Sequence, residues 1–150
     1  MMTSSREIII KKYLGIPFQH LGRNPDKGLD CWGFIKCVYL DAGIALSDLD
    51  AYAPDWARRG QNFFLKNYSD QWARVEQPRF MDIVLIRTAG LVNHAGFVLD
   101  EAQFIHCCRA GVVVSTIAQF AIANKIAGYY RFKNDQDRLF AQPVRETGRT

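Results

Sequence analysis

The chain changes its hydrophobic period once, near Pro78, and that change limits the fold more than any other feature. Upstream, apolar residues recur at helical spacing. Ser4-Ser5-Arg6-Glu7 has the Ser-x-x-Glu form of a capping box and leads into Ile8, Ile9, Tyr13 and Leu14, which predicts a first helix over Ser5 to Leu14, stopped by Gly15 and Pro17. Phe34, Ile35, Val38 and Tyr39 predict a second helix that starts at Cys31 and ends at Gly43. Between them, Gly22, Pro25 and Gly28 punctuate a stretch that reads as a long surface loop, and residues 55 to 67 suggest a further helical segment. Downstream, Ile83–Ile86, Asn93–Leu99, Gln103–Cys108, Val112–Val114 and Ile126–Phe132 read as strands. Helices first and sheet second is an α+β order, with N-terminal helices packed on a roughly five-stranded antiparallel sheet. The folded domain is expected over residues 1–132, with a polar C-terminal tail over 133–150.

Composition narrows the function classes. At 150 residues, 49% hydrophobic and 23% charged, the chain has the profile of one soluble globular core rather than of a disordered segment. It contains no apolar run long enough for a membrane span. Ile8-Ile9-Ile10 passes directly into Lys11-Lys12, so no signal peptide is expected and the protein is expected to be made in the cytoplasm. The net charge of +4 is scattered, without the clustered basic stripe of a nucleic-acid binder. Cysteines 31, 37, 107 and 108 form no CxxC pair and no paired finger spacing, so neither a disulfide framework nor a structural zinc site is expected.

The chemistry concentrates on one cysteine and two histidines. A thiol attacks as thiolate, and the unpaired N–H groups at a helix start favour the anion, so Cys31 at the head of the second helix is placed to be a nucleophile with a lowered pKa. Its own N–H, with those of Trp32 and Gly33, could face an oxyanion, and Gly33 leaves room for a substrate. If the 93–99 and 103–108 strands form a hairpin turning on Asp100, His94 falls directly opposite His106 on one face. A cysteine laid against that face gives nucleophile, base and orienting residue. Taken singly, each has a blander reading: a buried apolar cysteine, a structural histidine or a metal ligand. Cys37 lies about 240° round the helix from Cys31 and should pack away from the site. Vicinal Cys107 and Cys108 with the two histidines make a small metal site the rival constellation. Trp56, Phe63, Phe64 and Trp72 read as core rather than as a sugar-binding shelf.

Several motifs in order resemble the NlpC/P60 family. They are Leu14-Gly15-Ile16-Pro17-Phe18, Gly28-Leu29-Asp30-Cys31-Trp32-Gly33-Phe34-Ile35, Met81-Asp82-Ile83-Val84-Leu85, Asn93-His94-Ala95-Gly96-Phe97-Val98, Phe104-Ile105-His106 and Gly128-Tyr129-Tyr130-Arg131. The resemblance implies a papain-like NlpC/P60 fold and a cysteine endopeptidase or amidase that cleaves amide bonds in peptidoglycan stem peptides without metal or cofactor. It implies Cys31 as nucleophile, His94 as base and His106 as the third, orienting residue, with Phe18, His20, Asp30, Trp32 and Gly33 lining the substrate groove. The segment Phe18-Gln19-His20-Leu21-Gly22-Arg23 is most similar to versions from phage tail gene clusters, which implies other tail proteins as partners and delivery to the wall in the virion tail. Three positions depart from the pattern: Phe18 for Tyr, Trp32 for Ser and Met81 for Gly. Phe18 lacks the hydroxyl that helps hold the oxyanion, a role open to His20 unless it is simply a solvated loop histidine; it also motivates the alternative of a catalytically weak structural or binding domain of a tail tip.

Overall fold

A computed structural model describes residues 4–46, 71–88 and 90–133. The expected helical segment over 55–67 and all of the expected tail beyond Lys133 lie outside the described residues. Helix α1 spans Ser5–Tyr13 and carries the anticipated capping box: Ser4 Oγ accepts from the Glu7 N–H, and the Glu7 carboxylate accepts from the Ser4 N–H. Helix α2 spans Cys31–Asp41 and is N-capped by Asp30, whose side chain accepts from the Gly33 N–H.

The segment between the helices is more ordered than a surface loop. Strands β1 (Arg23–Asn24) and β2 (Gly28–Leu29) pair antiparallel, and Phe18 bridges to Leu29. Leu29 is fully buried. The Asn24 side chain accepts from the Asp26 N–H at 2.9 Å and closes the turn. The fold needs this segment tight against α2: a Cβ on Gly33 would stand 2.0 Å from the Gly22 carbonyl oxygen. Gly33 therefore makes room for Gly22, not for a ligand.

The remaining strands are β3 (Trp72–Val75), β4 (Ile83–Thr88), β5 (Leu91–Val98), β6 (Gln103–Cys108), β7 (Gly111–Thr116) and β8 (Ile126–Phe132), with a short helix α3 (Ile117–Ile122) before β8. They form one antiparallel sheet of six strands, ordered β3-β8-β4-β5-β6-β7, one more than the pattern suggested. The extra strand is the edge strand β3, held by β8. On one face, Phe34, Ile35, Val38 and Tyr39 of α2 pack against Ile83, Leu85, Phe97 and Ile105. A smaller cluster of Val84, Ile86, Val98, Phe104 and Ile117 lies on the other, beside α3. Each such buried apolar side chain stabilises the fold by about 1.5–3 kcal/mol. Trp72 packs partly buried against the main core, as a core aromatic should.

A polar clamp holds the frame around the site. Asp82, buried, receives Arg131 in a bidentate pair at 2.8 Å to each oxygen, which joins the start of β4 to β8. Met81, before it, sits at φ +79°, a backbone conformation that favours glycine. Its side chain is nonetheless buried in the core.

Candidate active site

The site lies where two strands part. Strands β5 and β6 pair only through Phe97 with Ile105 and Val98 with Phe104. This centres their turn on Glu101, one residue beyond the expected Asp100, and slips the register by two. A two-residue slip preserves the face, so His94 and His106 still point the same way. They meet diagonally: His94 Nε2 and His106 Nδ1 are 2.7 Å apart. Gly96 makes this approach possible, since a Cβ there would stand 2.7 Å from the Phe104 ring and 3.2 Å from His106 Cβ.

Cys31 belongs to the core cluster on the α2 face of the sheet, together with Ala95 of β5 and Cys107 of β6. It is buried at the first position of α2, and the Ala95 backbone N–H, next to His94, is directed at its sulfur. Cys31, His94 and His106 line one cleft of about 650 Å³ together with Phe18, His20 and Asp30. Of the residues expected at the site, these six are gathered and two are not. Trp32 is buried in the hydrophobic core, and Gly33 spends its N–H on Asp30 Oδ1 at 2.8 Å. Neither lines the cleft. Asp30 does, yet its oxygens are committed to the chain itself: Oδ1 also receives Arg23 at 2.8 Å, and Oδ2 receives the Leu21 N–H at 3.1 Å. It holds the 15–30 segment onto α2.

The electrostatics run against the expectation of a thiolate at rest. Burial, then the Asp30 carboxylate, pushes the Cys31 thiol well above the usual range, while the Ala95 N–H and Arg23 pull it down less strongly. Burial also pushes His94 down to about 3, with a further push from His106, and His106 down to about 4. Desolvation thus favours a neutral thiol beside neutral imidazoles in this cleft.

Sequence reasoning did not find Ser115, Phe120, Arg109 and Lys125 among the residues of this cleft. Ser115 of β7 lies 2.8 Å from His106 Nε2. Phe120 of α3 packs edge-on to His106, with ring centroids 5.9 Å apart. Arg109 lies over the Phe18 ring at 5.8 Å, and Lys125 over Phe120 at 5.8 Å. The detectable signal was the alternation of β7, which sets Ser115 on the His106 face. Cys107 and Cys108 also line the cleft, but Cys107 donates to the Leu29 carbonyl at 3.0 Å. Among the described residues no group of three or more His, Cys, Asp or Glu is placed to hold a metal ion. Cys37 lies against the Arg23 carbonyl, apart from the cleft lining.

A helix-headed cysteine set against a histidine pair on an antiparallel sheet defines an α+β domain of the papain-like type. Residues 15–131 match the NlpC/P60 family, and the chain belongs to it. The chain is 26% identical over 132 residues to the gamma-DL-glutamyl hydrolase of Bacillus subtilis strain 168, covering 83% of this chain and 28% of that protein. It thus spans little more than a quarter of that relative's length. Its fold is similar to an NLP/P60 family protein of Staphylococcus aureus Mu50, described as similar to lipoprotein (TM-score 0.63, 19% identity, 88% of this chain and 41% of that one). It is also similar to the NlpC/p60 domain of the peptidoglycan hydrolase SagA (TM-score 0.56, 21% identity, 86% and 97%).

Proposed function

We propose that the chain is a cysteine peptidase that hydrolyses amide bonds in peptidoglycan stem peptides, with Cys31 as nucleophile, His94 as base and His106 as orienting residue. The observation that carries this reading is the 2.7 Å contact between His94 Nε2 and His106 Nδ1 in the cleft that Cys31 also lines. With Nε2 committed to His106, His94 offers Nδ1 to the thiol. As the sulfur attacks the carbonyl carbon, the thiol proton passes to Nδ1, and thiolate and imidazolium form together, so each offsets the cost of burying the other. The Cys31 N–H and the His20 ring, both on residues that line the cleft, are the candidates to hold the oxyanion, since the Gly33 N–H is committed elsewhere. The C–N bond breaks as His94 protonates the leaving amine. Water, deprotonated by His94, then cleaves the thioester.

The relatives' printed activities, gamma-DL-glutamyl hydrolase and peptidoglycan hydrolase, support this substrate class. So does cleft charge: Arg109 and Lys125 are exposed at its walls, and Asp30, its one carboxylate among the described residues, is neutralised by Arg23. A cleft so lined suits an acidic peptide. The experiment is release of new amino groups from purified wall fragments, abolished in Cys31→Ala; equal release by both proteins refutes the catalytic assignment. The finer reading, an enzyme carried in a phage tail, rests on the Phe18–Arg23 segment. Immunodetection of the chain in purified virions tests it, and a chain found only in uninfected cells overturns it.

A further inference from the structure

The histidine pair does not end at His106. His106 Nε2 lies 2.8 Å from Ser115 Oγ, so a continuous file of polar atoms runs from His94 through His106 to the β7 edge strand. Such a file has two self-consistent proton arrangements. In the first, His94 Nε2–H donates to His106 Nδ1, and His106 Nε2–H donates to Ser115 Oγ. His94 Nδ1 then carries a lone pair. In the second every bond is reversed: the Ser115 hydroxyl donates to His106 Nε2, His106 Nδ1–H donates to His94 Nε2, and His94 Nδ1 carries the proton. Only the first can accept a proton from a thiol, and His94 can become imidazolium in it without any bond being remade.

We infer that Ser115 is a positioning residue, whose oxygen accepts from His106 Nε2–H and thereby fixes both histidines as Nε2–H tautomers with His94 Nδ1 free to act as base. This deepens the peptidase reading and rests on it for the choice of the first arrangement, since a hydroxyl can donate or accept; the contacts themselves do not depend on it. His106 is only 4% exposed and wedged between the Phe104 and Phe120 rings, with centroids at 4.7 and 5.9 Å. His106 and Ser115 both line the cleft, so a water could stand in for the serine. A mobile water holds Nε2–H less firmly than a fixed hydroxyl does, and the flanking rings restrict the imidazole from turning to another partner. Without Ser115, Nε2–H would lose its fixed partner and depend on solvent in the cleft. Moving the proton to Nδ1 relieves that, and donation from there to His94 reverses the file.

The test reads tautomers directly. In the full chain labelled at histidine with nitrogen-15, long-range proton–nitrogen spectra at pH 7 should show both His94 and His106 as Nε2–H. Ser115→Ala should convert His106 to Nδ1–H, and Ser115→Thr, which keeps a hydroxyl, should restore the wild-type pattern. Alkylation of Cys31 by iodoacetamide, which needs the base but no peptide substrate, should slow about 10- to 100-fold in Ser115→Ala, the usual scale for removing an outer partner of a functional histidine. A wild-type spectrum with His106 as Nδ1–H overturns the inference even if the alanine variant fails to fold. So does a Ser115→Ala protein with unchanged tautomers. Should Cys31→Ala still hydrolyse wall fragments while the tautomers follow Ser115, the peptidase reading fails and the positioning inference stands.

Discussion

Lowering the pH from 6.5 to 4.5 should destabilise this protein through its two buried imidazoles. Burial holds His94 at about 3 and His106 at about 4, against an unfolded value of 6.5. Both values are lowered, so the unfolded chain binds protons first. Each histidine's contribution is complete above pH 6.5 and drains away as the pH falls toward its folded value. The loss is up to about 1.4 kcal/mol per pH unit per histidine, or roughly 2 kcal/mol each across the window, because the unfolded imidazole is already half protonated at pH 6.5. With a urea slope of about 2 kcal/mol/M, the unfolding midpoint should fall by up to about 0.7 M per pH unit for each imidazole. Asp100, whose carboxyl is lowered by its bonds to the Ala102 and Gln103 N–H groups and by Arg6, titrates below this window and does not confuse it. The assay is urea unfolding followed by fluorescence at several pH values for the wild type and His94→Gln. The variant should lose midpoint less steeply, by one histidine's share. Parallel lines for the two proteins between pH 4.5 and 6.5 would refute the claim that His94 is held neutral by burial.

Three other perturbations follow from the geometry. Gly96→Ala should drive Phe104 and His106 off their positions, costing about 1–3 kcal/mol in a thermal melt and uncoupling the imidazoles in the histidine spectra. At Met81 the usual order of glycine and alanine should invert: both variants lose the buried side chain, but Met81→Gly, relieved at φ +79°, should unfold at higher denaturant than Met81→Ala by about 1 kcal/mol. Arg109→Ala should raise KM for an acidic wall peptide with kcat little changed, and an unaltered KM would remove Arg109 from substrate recognition.

The periodic parts of this fold were legible and the tertiary parts were not. Both helices and the five strands from Ile83 onward stand where their spacing puts them, because each buries one face against a single core. The edge strand Trp72–Val75 is four residues with a mixed burial pattern, and α3 is six residues without a side-chain cap, too short to show a period. The histidine pairing was legible for a particular reason: facing depends on parity, so a turn displaced by one residue slipped the register by two and left both rings on one side. The thiol's ionisation was not, because helix position is written locally whereas desolvation by the sheet and the Asp30 carboxylate is assembled from afar. Trp32 and Gly33 were drawn to the groove by adjacency to Cys31. A helix turns successive side chains about 100° apart, so neighbours of an active group face elsewhere.

A sheet is ordinarily strengthened by every rung added to its ladder, but the short β5–β6 pairing sets that tendency against chemistry here. Substitutions that zipped these strands further would make the scaffold sturdier while narrowing the parting through which, on the proposed reading, the Cys31 sulfur reaches His94. Selection for heat resistance alone should therefore drift toward proteins that melt later and react less. The gap between those two strands is where such a drift would first be seen.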